Sequence, residues 1–475
     1  MYPSRFSTLD VFNEAWGGLA WREDEPEFRR ERATDPSDRR DGQFAPFFTS
    51  EHDLRAIWGL ARRLAAADEI GAGLLDRLTD YTIGTGFTYR AEPRGKQPAA
   101  NILEMAAAVQ EVVDDFLVCS GWEGDMEREL FAASRRDGEF FLRLQPLPGH
   151  GCRALPIEPE CVTEPGDPRA VEAHYGLAPQ SWSFGIATDP RDTTLRSGYF
   201  LQHYGDPRDW EFVPESELIH CRVNVDRRIK RGLSDYYPAA RKLEKAARLL
   251  GNTLEGSTIQ AAIAFIREHA PGHTKSQIEA FQLAKADVTQ SDPRYSGARS
   301  RRHFHPGTVL DVGPGMKYHA APLGQTSGPV FLSVVQAALR VVGSRWGMPE
   351  YMISGDASNA NFASTLVAGS PFVRATEARQ SVYRRHFGEV MGRVVELAAR
   401  QGRFLRWGIT SRRELMRVVE IVVTPPQVAI AADAEAQERV REIRHRAGVL
   451  SARTWAAQVD LDYDQEERNW VNGRD

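Results

Sequence analysis

Two stretches of this chain have room for little besides long helices, and the residues between them suit neither a helix nor a long strand. From Ser234 to Glu268, apolar residues recur at helical spacing through Ala239, Leu243, Ala246, Leu249, Leu250, Leu254 and Ile259. Gly251 and Gly256 each loosen that run by about 1 kcal/mol relative to alanine. Residues 329–346 repeat the pattern, with Phe331, Val334, Val335, Ala338, Leu339, Val342 and Trp346 on one stripe. Pro329 sits in the first turn, where its missing N–H costs nothing, and Gly347 and Pro349 supply the stop. The intervening HFHPGTVLDVGPGMKYHAAPLG (303–324) is cut by Pro-Gly turns and holds only enough Val, Leu and Tyr for a small β element. Any fold must therefore find partners for two apolar stripes and let an excursion hang between them.

The rest of the chain divides by period. Leu54, Ile57, Trp58, Leu60, Ala61 and Leu64, then Ile70, Leu74, Leu75 and Leu78, predict two helices, which Gly84 and Gly86 end. Ile102, Met105, Val109, Val112, Val113, Phe116 and Leu117 predict a third over 101–120. After Gly138 the period becomes that of strands: EFFLRLQPL, RALPIEP, GYFLQHY, WEFVP and LIHCRVN are short and separated by Pro, Gly and Asp. Residues 50–225 thus read as an α+β domain, helices first and an antiparallel sheet after. Beyond the second long helix comes the polar loop SGDASNANFASTL (354–366), in which Asn359 or Asn361 can cap a following helix. That helix is expected to run to about residue 400 with a kink at Gly369-Ser370-Pro371. A strand is expected at 418–423, and the tail is helical, with Glu435/Arg439 and Glu442/Arg446 as i,i+4 pairs. Residues 22–43, dense in both charges and poor in apolar residues, read as a solvated arm.

Sixty Lys and Arg against 65 Asp and Glu leave a mildly acidic chain, without the basic surface of a protein that grips phosphates all round. Neither a secretory leader nor a membrane span is expected: the most apolar segment, VFLSVVQAALRVV, is short and interrupted by Ser333, Gln336 and Arg340. The spacing of Cys119, Cys152, Cys161 and Cys221 fits neither a zinc site nor a redox pair, so these read as reduced bystanders of a cytosolic chain. No dinucleotide, phosphate-loop, nucleophile-elbow or zincin motif occurs, and GHTKS at 272–276 lacks the first glycine of a phosphate loop. His303 and His305 could share a strand face and hold a metal, but no further ligands are nearby, and surface imidazoles beside Arg299, Arg301 and Arg302 are the better reading. Asp137 and Asp356 are candidate general bases, although a turn aspartate bonding its own backbone explains each more simply. No catalytic residue, metal or cofactor is expected.

Several motifs, in order, carry a resemblance: RRDGEFFLR (135–143), LPIEPECV, FGIATDPRD, GYFLQHY, VPESELIHCRVNVDRRIKRGLS (213–234), PGTVLDVGPGM (306–316), WGMPEYMISGDASNANFAST (346–365) and RAGVLSARTWAAQVDLDYDQEE (446–467). Together they resemble the portal proteins of tailed bacteriophages, in the lambda-like branch. The resemblance implies a ring, usually of twelve subunits, at one capsid vertex, through which double-stranded DNA is packaged by a separate terminase and later ejected. It implies an N-terminal arm (1–49), a wing (50–233), a first stem helix (234–268), a clip (269–326), a second stem helix (327–347), a tunnel loop (348–361), and a kinked helix with the remaining wing and crown (362–475). On that plan Ser354, Asp356, Ser358, Asn359 and Asn361 face the DNA channel. Phe331, Val334, Val335, Ala338, Leu339 and Val342 meet a neighbouring subunit, with an intramolecular core as the equal alternative. Arg299, Arg301, Arg302 and His303 face the terminase. The implied partners are further copies of the chain, duplex DNA, terminase, a head-completion or adaptor protein and the major capsid protein, with no membrane; the implied location is the virion, and the host cytoplasm during assembly. The competing readings are another virion connector or minor capsid protein, and a DNA-processing enzyme using Asp137, Asp356 and His303/His305.

Overall fold

The computed structural model describes residues 48, 50–95, 99–147, 151–177, 181–189, 191–202, 209–268, 308–312, 328–355, 362–428, 434–459, 461 and 463–472. Among these the chain begins with helices α1 (Glu51–Ala67) and α2 (Glu69–Thr82), followed by strand β1 (Thr88–Pro93) and helix α3 (Ala100–Ser120). Helix α4 (Glu127–Asp137), which the sequence pattern did not announce, leads into β2 (Glu139–Leu147) and β3 (Gly151–Ile157). A short helix α5 (Pro168–Tyr175) precedes β4 (Trp182–Ser183), β5 (Ile186–Thr188), β6 (Arg196–Gln202), β7 (Trp210–Pro214) and β8 (Leu218–Arg222). Then come α6 (Ala240–Ala262), β9 (Ile263–Glu268), β10 (Thr308–Val312), α7 (Gly328–Trp346), α8 (Glu350–Ser354) and α9 (Phe362–Arg400). The last elements are α10 (Arg412–Leu415), β11 (Val419–Thr424), α11 (Ala434–Arg446), α12 (Ala452–Gln458) and α13 (Tyr463–Asn472). The mixed α+β class is as expected.

The chain forms two compact units. The first comprises Met1–Arg63, Thr79–Tyr237 and Arg379–Gln427; the second comprises Leu64–Leu78, Pro238–Ala378 and Val428–Asp475. In the first, β2 is central in an antiparallel sheet of order β3-β2-β8, and β4 to β7 form an antiparallel meander. Phe141, Val162, Ile186, Tyr199, Leu201, Val213 and Leu218 build one core cluster from both sheets. This explains why EFFL is continuously apolar after its glutamate: Phe140, Phe141 and Leu142 are all buried, so the strand has no solvent face. A third, two-stranded sheet joins β1 to β11 across most of the sequence. The outer edge of β1 meets α3 instead of another strand: the Gln110 amide accepts from the Ala91 N–H (2.7 Å) and donates to the Tyr89 carbonyl (3.1 Å). Helix α3 buries the stripe Met105, Val109, Val112, Val113, Phe116 and Leu117, and Gly121 ends it in the left-handed conformation (φ 55°).

In the second unit α6 lies against α7, and α7 against α8. Leu243 and Ala246 are buried on α6, and Val335, Leu339, Val342 and Trp346 on α7. The bare surface of Gly343 receives α8: a Cβ there would lie 2.5 Å from Ile353 Cδ1 and 2.5 Å from the Met348 carbonyl oxygen.

The first long helix is shorter at both ends than its periodicity suggests. It starts at Ala240, because Pro238 biases Tyr237 away from helical backbone, and it ends at Ala262. Residues 263–268 (IAFIRE) form β9, which pairs in parallel with β10. A short run of β-branched and aromatic residues fits either period, and here the pairing partner decides it. The expected small β element between the helices is present as β10, while residues 269–307 and 313–327 lie outside the described residues. Helix α9 continues through Pro371. The loop expected over 348–361 begins with the helical turn α8, which buries Met352 and Ile353 and ends at Gly355 (φ 73°).

Candidate functional site

The motifs RRDGEFFLR and VNVDRRIKRGLS, far apart in sequence, meet in one buried knot. Arg231 is 1% exposed. Its Nε donates to Glu139 Oε1 (2.7 Å), and its Nη atoms donate to the carbonyls of Val162 (2.7 Å), Phe184 (2.9 Å) and Pro159 (2.8 Å). The guanidinium also stands over the rings of Trp58 (5.1 Å) and Phe141 (5.3 Å). Glu139, fully buried, takes two more donors: the Gly232 N–H (3.0 Å) and His220 Nε2 (2.9 Å). Because a carboxylate only accepts, His220 carries its proton on Nε2, which agrees with a buried Nδ1 that has no donor opposite it. Burial, with the positive charges of Arg196 and Arg231, holds His220 well below the ordinary histidine range. Burial raises the Glu139 carboxyl, against the pull of Arg231 and the Gly232 amide.

The backbones in the knot touch. A Cβ on Gly232 would come 1.8 Å from the Gly138 carbonyl oxygen, and one on Gly138, whose φ is 94°, would come 2.5 Å from Leu233. Around this contact Arg135 grips Asp235 through two bonds (2.6 and 2.8 Å), Asn224 donates to Asp235 (2.8 Å), and Trp58 Nε1 donates to the Asp137 carbonyl (2.9 Å). Buried Lys230 donates to the Ile186 carbonyl (3.0 Å), and burial lowers its ammonium to about 8.

Asp137 is not the turn aspartate that the sequence suggests. It closes α4, is fully buried, and its carboxylate is held by Arg62 (3.0 and 3.1 Å) and Arg136 (3.1 and 2.7 Å), with no free face for a general base. Of the six residues expected at a subunit interface, Val335, Leu339 and Val342 are instead buried within the chain, because α6 and α8 already cover that side of α7. Ala338 is half-buried and Val334 is 50% exposed. Phe331 lies in α7, and its side chain lies outside the described residues. Ser354 is exposed at the end of α8, where its hydroxyl bonds the Glu350 carbonyl (3.1 Å). Asp356, Ser358, Asn359 and Asn361, like Arg299, Arg301, Arg302, His303 and His305, lie outside the described residues.

All four cysteines are free thiols, and burial pushes Cys152 and Cys221 up to about 12. Among the described residues no cluster of three His, Cys, Asp or Glu could hold a metal, and no helix is long and apolar enough to cross a membrane.

The family model for phage portal proteins of the lambda family matches residues 44–380, which include the knot, both long helices and the loop after them. The chain belongs to the lambda family of phage portal proteins. This portal matches no curated protein. Among solved structures it is similar to a chain described as the neck of an empty GTA particle computed with C6 symmetry, at 15% identity, with TM-score 0.45 and 85% of this chain and 92% of that one covered. It is similar to the neck of a native GTA particle computed with C12 symmetry at 16% identity, with TM-score 0.41 and coverage of 87% and 94%. An HK97 family phage portal protein from Corynebacterium diphtheriae is matched at 13% identity, with TM-score 0.27 and coverage of 70% and 89%. The assignment of this portal rests on the family model.

Proposed function

We propose that this portal works as a ring of identical subunits, twelve being the family's usual number, set at one capsid vertex as the passage for double-stranded DNA. In this reading α6 and α7 are the stem, the excursion between them is the clip that meets the terminase, and residues 355–361 line the channel. The remaining surfaces meet a head-completion or adaptor protein and the major capsid protein. The chain acts as a conduit in the virion, after assembly in the host cytoplasm, and performs no reaction of its own.

The observation that carries this reading is the pairing of β9 with β10. β9 continues directly from α6, and β10, the last described strand before α7, pairs with it in parallel, so one small sheet holds two segments of the excursion, about 40 residues apart in the chain, side by side. Two packed helices with a clamped excursion between them make a stem with a tip. Support also comes from the apolar side chains that the helix pair leaves exposed: Leu250 (37%) and Leu254 (64%) on α6, Val334 (50%) and Val341 (47%) on α7. Such residues on a head-to-tail ring would be covered by the next subunit. The mild acidity of the chain suits a passage in which DNA slides, since each neutralised phosphate adds affinity that would hold the strand.

Electron microscopy of the purified full chain tests the proposal. Rings with a central hole wide enough for a duplex are expected; a monomer under every condition of salt and concentration overturns it. A solid disc or an open filament would favour a different connector of the virion.

A further inference from the structure

Away from the knot and the long helices, RFLRWGITSRRELMR (403–417) carries five arginines against one acid, Glu414. With Arg94 at the end of β1, Arg412, Arg413 and Arg417 line an open pocket of about 640 Å³. The acids nearby are already engaged. Glu420 pairs with Arg94 (3.4 Å), Glu396 with Arg400 (2.6 Å), and the Glu414 carboxylate accepts the Thr410 N–H (3.3 Å) beside the Ser411 cap. Among the described residues no carboxylate pairs with Arg412, Arg413 or Arg417. Arg413 and Arg417 are both exposed. The pocket is also built rather than frayed: the Arg412 guanidinium lies against α9 at Gly392, where a Cβ would come 2.3 Å from it.

Four arginines thus line the pocket against one acid, Glu396, and three of the four have no carboxylate partner among the described residues, an excess of positive charge that gains from an anionic ligand. We propose that this arginine ledge binds the phosphate backbone of double-stranded DNA, as a holding contact on the first unit and not as part of a sliding path. The proposal rests on the portal reading, which brings duplex DNA to this protein. An acidic peptide is the weaker candidate, because peptide sites need apolar anchors and among the described residues Met416 is the only apolar side chain lining the pocket. A row of phosphates needs only guanidinium donors and an open approach.

The test measures the affinity of the full-length protein for a short fluorescent DNA duplex across a range of KCl concentrations. The variant Arg413→Gln/Arg417→Gln is compared with wild type and with Arg446→Gln, an exposed arginine on α11. Losing two phosphate contacts should lower the slope of log K against log salt by about 2 and weaken binding roughly tenfold or more at low salt, with Arg446→Gln unchanged. An unchanged slope in the double variant overturns the proposal, as does wild-type protein that binds polyglutamate but not the duplex. Micrographs of the same preparations keep the two readings separate. Rings with an unchanged slope refute the ledge alone, and a monomer that keeps the arginine-dependent slope refutes the ring alone.

Discussion

Replacing Arg231 with methionine removes the centre of the knot while keeping most of its apolar stem. Glu139 then stays buried with a net charge, keeping only the Gly232 N–H and His220 as donors, and the carbonyls of Pro159, Val162 and Phe184 lose their shared donor. Removing one partner of a buried ion pair costs about 3–5 kcal/mol, most of it the stranded charge. At 1.36 kcal/mol per decade, a loss of about 4 kcal/mol raises the opening equilibrium of β2 and residues 159–163 roughly a thousandfold. Hydrogen exchange of the full-length protein, read on peptides covering those segments, measures it. The double variant Glu139→Gln/Arg231→Met no longer strands a charge and should recover at least about 1 kcal/mol relative to Arg231→Met alone. Exchange accelerated less than about tenfold, or a double variant as unstable as the sum of the single ones, would refute the argument that a stranded carboxylate dominates.

Two further outcomes follow from the same region. His220 faces Glu139 on one side and Arg196, Arg222, Arg231 and His386 in the surrounding field, and it stays neutral when folded. Its folded pKa is depressed, so its contribution is complete above the unfolded value of about 6.5 and is lost as pH falls from there, by about 1.4 kcal/mol per pH unit. The raised Glu139 carboxyl works the other way, complete below its unfolded value and lost as pH rises, but it is common to wild type and to His220→Gln. Urea midpoints at pH 6.5 and 5.5 should therefore fall less in His220→Gln than in wild type; equal falls would show that the imidazole does not drive the acid sensitivity. Gly232→Ala, with its Cβ 1.8 Å from a carbonyl oxygen, should cost more than about 4 kcal/mol, whereas Gly151→Ala meets nothing within 4 Å and should stay within about 0.5 kcal/mol by the same denaturation measurement.

Much of the local structure was legible because it rests on local period. The stripes of α1, α2, α3 and α7 and the alternation or apolar runs of β2, β3, β6, β7, β8 and β11 depend on which faces are buried, and the sequence carries that directly. Helix α4 was not legible: ERELFAASRRD has only Leu130 and Phe131 as large apolar residues, and its other buried side chains include Glu127, Ser134 and Asp137, held by partners elsewhere. The end of α6 was not legible either, since β9 is a strand only because β10 pairs with it. The knot is the extreme case. Arg231 and Glu139 stand 92 positions apart, and nothing in the spacing of DRRIKRG tells which arginine goes inside. The motifs that carried the family resemblance did mark those segments, without saying that they touch. Of the apolar stripe of α7, Val335, Leu339, Val342 and Trp346 are buried within the chain while Val334 is exposed, since periodicity says which face is apolar and not what covers it.

The amide of Gln110 on the margin of β1 has a consequence for the ring of identical subunits proposed above. A strand margin with open N–H and C=O groups is a template for any extended chain, and crowding identical subunits raises the local concentration of such chains. By occupying the Ala91 N–H and the Tyr89 carbonyl, one side chain withdraws that template at the cost of two hydrogen bonds it makes anyway. Copies of the molecule can then recognise one another through side chains whose fit is specific, and not by indiscriminate backbone zippering.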